Sequence, residues 1–308
     1  MNVQRGRDVR RPASEQPLLK NEIATVGLPD LIAGGVTHIC ATIFCDPEAG
    51  DAHPQAVGQF ATYQAWADAG LISLDRNAAG PINAVLLIEG ADCVRSPEDL
   101  HAFYQQHARV IGLAWRATRY AGGTGTPGPL TSAGRELVRE IDALKMTHDA
   151  SHLAEQSFWD LLKATDGPVI ASHSNCRAIV GDDPNERHLT DDMIRAIVTR
   201  GGVVGINVYD KFLLPASEYG RRRATLDDVV AHVRRVCDIA GDTQHVGIGT
   251  DMDGGLGREQ IPIEIESSTD LPKLTGALSS AGFSADDIRQ IVFGNWQAYF
   301  HHHLDYTL

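Results

Sequence analysis

"PVIASHSN", residues 168–175, decides how the rest of the chain is read. Val169, Ile170 and Ala171 form the apolar run that a strand buried on both faces requires. The chain then turns at once to Ser172, His173, Ser174 and Asn175. Polar groups at the end of a core strand are the pattern of parallel α/β proteins, where function collects at the carboxyl ends of strands. One such ending can be an accident, so other runs must end the same way.

They do. Short apolar runs stand at 35–44, 84–90, 109–115, 145–152, 168–173, 202–208 and 245–251. Between them lie amphipathic stretches with readable helix signals. Ser96-Pro97 puts a cap before a proline at the first helical position. Thr225 with Asp228, and Ser284 with Asp287, have capping-box spacing. Gly201 and Gly241 follow helical segments, where a left-handed residue is wanted. Strands alternating with helices predict an α/β fold with a parallel sheet covered by helices. No linker or charge block interrupts the chain, so residues 1–308 read as a single domain. A doubly wound sheet and a (β/α)8 TIM barrel both fit, and seven strands is one short of the barrel.

"GTGTPG" (123–128) matches G-x-G-x-x-G letter for letter. Pro127 and Pro129 stand where a phosphate-binding helix would begin, so a loop over a site is the better reading.

The chain has 308 residues, with 27 Lys+Arg against 40 Asp+Glu and a net charge of −13. That balance argues against a nucleic-acid partner. The five cysteines are odd in number and form no C-x-x-C pair. A disulfide framework or thiolate zinc site is therefore not expected, and reduced thiols in the cytoplasm fit better. The N-terminal stretch "MNVQRGRDVRRPASEQ" has no signal-peptide core, and nothing downstream reads as a membrane span. The sequence leaves homodimer formation open.

The strand ends carry Glu89, Trp115, Asp149 with His152, His173, Asn207, and Asp251 with Asp253. Imidazoles and carboxylates are the ligands that zinc and similar divalent ions accept. A lone strand-end histidine is more often a hydrogen-bonded structural residue. The joint occurrence at several strand ends is what points to a metal site. His148, the run His301–His303, and Phe158 with Trp159 read instead as structural or surface groups.

Five ordered pieces carry a resemblance. "EG" (89–90), "DASHLAEQSFWD" (149–160), "VIASHSNCRAI" (169–179), "RHLTDDMIRAIVTRGGVVGINV" (187–208) and "HVGIGTDMDGG" (245–255) resemble the membrane (renal) dipeptidase family. These are zinc metallopeptidases of the amidohydrolase superfamily, and the chain is similar to the bacterial type. The resemblance implies a (β/α)8 barrel with two zinc ions, hydrolysing L,L- and L,D-dipeptides with a metal-activated water. It implies Glu89 as the bridging carboxylate, His152 and His173 as ligands of the second metal, and Asp251 as the catalytic acid/base. Arg187 would take the substrate's terminal carboxylate, a task that suits a planar bidentate donor.

Two departures follow. Trp115 stands where the animal enzymes have a histidine that helps polarise the scissile carbonyl, so it becomes a substrate-binding candidate. The family's first strand ends in His-x-Asp, and residues 1–34 contain no such motif. The expectation is thus an N-terminally shortened barrel lacking its first strand, with one zinc ion or fewer. The competing expectations are an N-acyl amino acid or cyclic amide hydrolase, and a degenerate barrel that binds metal without efficient catalysis.

Overall fold

The computed structural model describes residues 5–20, 22–74, 80–181 and 183–304. Seven strands are found among them: β1 (His38–Phe44), β2 (Asn83–Glu89), β3 (Ala108–Gly112), β4 (Thr147–Asp149), β5 (Val169–Ile170), β6 (Val204–Ile206) and β7 (Val246–Ile248). Five fall within the apolar runs, and β2 and β3 each begin one residue before theirs. β1 to β5 form one parallel ladder in sequence order, and β6 pairs β7 in parallel. A bridge between Ala171 and Val204 joins the two ladders into one arc.

The main helices that follow the strands are α1 (Ala52–Asp68), α2 (Pro97–Gln105), α3 (Ser132–Ala143), α4 (Glu155–Ala164), α5 (Asp191–Thr199), α6 (Leu226–Ala240), α7 (Lys273–Ser280) and α8 (Asn295–His303). Local chemistry sets their ends. Pro97 opens α2 directly after Ser96. The Thr225–Asp228 capping box opens α6, and Gly241 closes it at φ 82°. The Ser284–Asp287 box caps a short helical turn. On α3, Gly134, Leu137, Val138 and Ile141 are buried, the i, i+3, i+4, i+7 face of an amphipathic helix.

The two faces of the arc are covered differently. Ala84, Leu86 and Ile88 of β2 belong to the large core shared with the helices. Each fully buried Leu or Ile there is worth about 1.5–3 kcal/mol. The alternate residues Val85 and Leu87 pack with Val110, Ile170, Tyr299 and Phe300. Helix α8 thus covers part of the face on which Glu89 also lies. Glycine makes this approach feasible, because a Cβ on Gly247 would lie 2.3 Å from the Trp296 ring nitrogen.

Among the described residues, no strand bridges β7 and β1. A trench of about 880 Å³ runs between them. Side chains of α1 blunt the β1 edge. Gln59 bonds both the N–H and the C=O of Phe44, and the Tyr63 hydroxyl donates to the Thr42 carbonyl. An edge strand dressed in this way is less open to unwanted pairing.

The "GTGTPG" stretch forms a turn, with Gly123 and Thr126 bridged and α3 starting only at Ser132. All five cysteines are unbridged. No helix among the described residues is long and apolar enough to cross a membrane.

Candidate metal centre and active site

The strand ends bring three of the predicted residues together. Glu89 is the last residue of β2, while His152 and His173 each follow their strand, β4 and β5, by three residues. Glu89 Oε1 lies 3.0 Å from His152 Nε2 and 3.4 Å from His173 Nε2. The two Nε2 atoms are 2.9 Å apart. All three side chains are nearly shielded from solvent.

Three atoms that offer lone pairs repel one another at such distances unless positive charge sits among them. A proton can supply that charge, and so can a metal ion. The donor set of two imidazoles and one carboxylate fits zinc or a similar divalent cation. It is the one such cluster of three found among the described residues.

Charge is distributed unevenly over the cluster. Burial works against ionisation of Glu89, but hydrogen bonds to both histidines hold its carboxyl well below the usual range. His152 is brought down to about 3 by burial, with the Arg187 charge acting in the same direction. Burial also opposes charge on His173, yet Glu89 and Asp251 outweigh it and raise its pKa.

Asp251 follows β7 by three residues and lines the same trench as Glu89 and His173. Its Oδ2 accepts a hydrogen bond from Asn207 Nδ2 at 3.0 Å. Burial pushes its carboxyl up to about 6, with His173 and Arg187 drawing it down and Glu89 adding to the rise. His152 and Asp251 both have left-handed backbones, at φ 67° and 55°. For non-glycine residues this costs energy and tends to cluster at functional sites.

Arg187 is buried beside this group. Its Nη1 donates to Ser174 Oγ at 3.0 Å and its Nη2 to the His173 carbonyl at 2.7 Å. Its guanidinium also lies over Phe212, 4.9 Å from the ring centre. Arg187 Nε has no hydrogen-bond partner among the described residues. Trp115 is half-buried, its ring 5.2 Å from Phe44 and 6.2 Å from His152. It borders the cluster without joining the three donors.

Other predicted strand-end groups are placed more modestly. Asp253 is buried and binds Thr25 and the Val26 amide, which ties the N-terminal segment to the loop after β7. His148 bonds Asp142 at 2.8 Å, and Phe158 is fully buried, so both are structural. The sequence reading names Asn207 and Ser172 only as polar strand-end groups and Thr124 only as part of the "GTGTPG" loop, and gives none of the three a partner. Only the fold shows that they reach Asp251, His173 and His152 respectively.

The fold and this donor set together define a hydrolase-type α/β protein with its chemistry at the carboxyl rim of a parallel sheet. The chain belongs to the membrane dipeptidase family, peptidase family M19, whose model matches residues 26–302. An uncharacterized protein in the pqqA 5′ region of Klebsiella pneumoniae is 37% identical over 209 residues, 64% of this chain and 73% of that protein. The uncharacterized dipeptidase C3A11.10c of Schizosaccharomyces pombe is 30% identical over 220 residues. That match covers 70% of this chain and only 51% of the yeast protein, so this chain spans about half of it.

Among solved structures, the metallopeptidase dipeptidase AC superposes with TM-score 0.81 at 28% identity, over 94% of this chain and 92% of that one. A metallopeptidase from Rhodobacter sphaeroides, liganded with a phosphinate mimic of the dipeptide L-Ala-D-Ala, gives 0.79 at 28% identity, over 92% of each chain. The parallel α/β architecture is therefore of the amidohydrolase barrel type, and the family supports metal-dependent dipeptide hydrolysis.

Proposed function

We propose that this chain hydrolyses the peptide bond of dipeptides at the rim formed by Glu89, His152, His173 and Asp251. The observation that carries this reading is the convergence of Glu89, His152 and His173 within 4.8 Å of one another. Glu89, His152 and His173 would hold the metal. When bound, a zinc or similar ion supplies Lewis acidity and lowers the pKa of water to near 7. One ion per chain matches the one such cluster found among the described residues.

The chain's own groups do the rest. Asp251, buried and oriented by Asn207, takes the proton of the attacking water and returns it to the leaving amine. Arg187 presents its unpaired Nε–H to the substrate's terminal carboxylate, which limits substrates to short peptides. Trp115 forms an apolar wall beside His152 and shapes the pocket for the substrate side chain.

The trench between β1 and β7 suits one further parallel strand, which would close the arc into an eight-stranded barrel. A strand ending in His-x-Asp would add donors next to Glu89 and raise the metal content towards two. Supplying such a strand ahead of the 308 residues should raise thermal stability and activity together. An unchanged melting temperature and metal content would count against the strand.

The function is tested by assaying zinc-loaded protein on L,L- and L,D-dipeptides, N-acyl amino acids and cyclic amides. Dipeptide turnover that stops on chelation supports the reading. Turnover confined to the other two classes, or no turnover by folded, zinc-loaded protein, refutes it.

A further inference from the structure

Each imidazole of the cluster has a hydroxyl on its far nitrogen. Ser172 Oγ lies 2.7 Å from His173 Nδ1 and 2.5 Å from Asp149 Oδ2. Thr124 Oγ1 lies 3.1 Å from His152 Nδ1 and donates to the His152 carbonyl at 3.4 Å. The two hydroxyls come from separate segments. Ser172 follows β5, and Thr124 sits in the "GTGTPG" turn, held there by its own N–H on the Trp115 carbonyl.

The direction of the protons follows from counting donors. Asp149 as a carboxylate only accepts. Its Oδ1 already takes the N–H groups of Ser151 and Ser172, at 3.0 and 2.9 Å. Its Oδ2 takes the single proton of the Ser172 hydroxyl. Ser172 Oγ has no second proton to give, so the short contact with His173 requires Nδ1–H as donor. His173 thereby carries hydrogen on Nδ1. Thr124 Oγ1 serves either tautomer of His152: it accepts from Nδ1–H when its own proton goes to the carbonyl at 3.4 Å, and donates to a bare Nδ1 at 3.1 Å otherwise. A metal ion held by both Nε2 atoms would set the same tautomer on His152 as on His173, with Thr124 Oγ1 accepting from its Nδ1–H.

We propose that Asp149–Ser172 and Thr124 are positioning residues that set the tautomer and ring orientation of His173 and His152 for metal binding. The proposal rests on the reading that these two histidines hold the metal. Partners of this kind generally fix the ligating nitrogen, and their loss typically costs about 10–100-fold in metal affinity. It also gives the "GTGTPG" turn a purpose: the turn carries Thr124 to the back of His152.

The test pairs zinc affinity, measured by chelator competition, with nitrogen-15 NMR of the histidine rings. Ser172→Ala and Thr124→Val should each weaken zinc binding by about 10–100-fold, and Thr124→Ser should restore it. In the zinc-loaded parent both Nδ1–H signals should be protected from exchange. Ser172→Ala should remove the His173 signal alone, and Thr124→Val the His152 signal alone. A purely structural role would not separate the two rings. Unchanged zinc affinity in both variants, or a His173 ring in the metal-free parent with Nδ1 bare, overturns the proposal. If the parent binds no zinc, the metal-site reading fails by itself, while the metal-free spectrum still decides the tautomer.

Discussion

His152 Nε2 and His173 Nε2 stand 2.9 Å apart, with Glu89 Oε1 within 3.4 Å of both. The two histidines are 21 positions apart in the chain. The pairing of β4 with β5 brings their strand ends side by side. The pairing geometry of short strands is thus what turns scattered imidazoles into one donor set.

Replacing a donor should act on the metal before it acts on the fold. His152→Ala and His173→Ala should each weaken zinc binding by more than the ~100-fold upper value expected for outer partners. Circular dichroism should stay close to that of the parent. His148→Ala is the control. It removes a half-buried bond to Asp142 and should lower the melting temperature without changing zinc affinity. Parent-like zinc affinity in the first two variants would remove these histidines from the site.

Asp251→Asn keeps the hydrogen-bonding shape beside Asn207 but cannot carry the proton. Zinc content should be retained and kcat should fall by about 10²–10⁴-fold, the usual worth of general acid–base catalysis. Stopped-flow or steady-state kinetics on one dipeptide checks this. A loss below tenfold with full zinc content would assign the proton transfer elsewhere.

Arg187→Ala should raise KM for free dipeptides much more than for the same peptides with an amidated C-terminus. The guanidinium also supports the His173 carbonyl and Ser174, so some loss on both substrates is expected. The comparison between the two substrates carries the prediction. Equal losses on both would take Arg187 out of the carboxylate pocket.

His232 gives a pH dependence away from the cluster. Its Nδ1 accepts the Cys176 N–H and its Nε2 donates to the Leu213 carbonyl, so the neutral ring is fully satisfied. Burial brings its pKa down from 6.5 to about 4. A lowered histidine contributes stability that is present above the unfolded value and lost as pH falls through the folded one. Stability should therefore decline between pH 6.5 and 4, by up to about 3 kcal/mol from this group. Urea unfolding across that window, in the parent and in His232→Asn, measures it. An equally steep decline in the variant would place the acid sensitivity elsewhere.

Much of the fold was legible because strands buried on both faces leave continuous apolar runs. The run at 168–173 holds β5, the run at 84–90 holds all of β2 but its first residue, and the capping boxes at Thr225 and Ser284 mark real helix starts. Glu89, His152 and His173 were legible as strand ends, since parallel topology sends all such ends to one rim. What stayed hidden depends on side-chain direction. Sequence spacing does not tell that Thr124 reaches His152 or that Asn207 reaches Asp251. Nor does it show that Gln59 and Tyr63 of α1 turn back to cover the edge of β1. Those contacts are set by how loops and helices fold over the rim, which no local pattern records.

The most direct measurement is elemental analysis of zinc in the purified 308-residue protein, dialysed against zinc and then against buffer, beside Glu89→Gln treated identically. The parent should retain about one zinc per chain and hydrolyse dipeptides. Glu89→Gln should remain folded, lose the zinc and lose the activity with it. A parent that holds no zinc, or a Glu89→Gln protein that holds as much as the parent, would contradict the account.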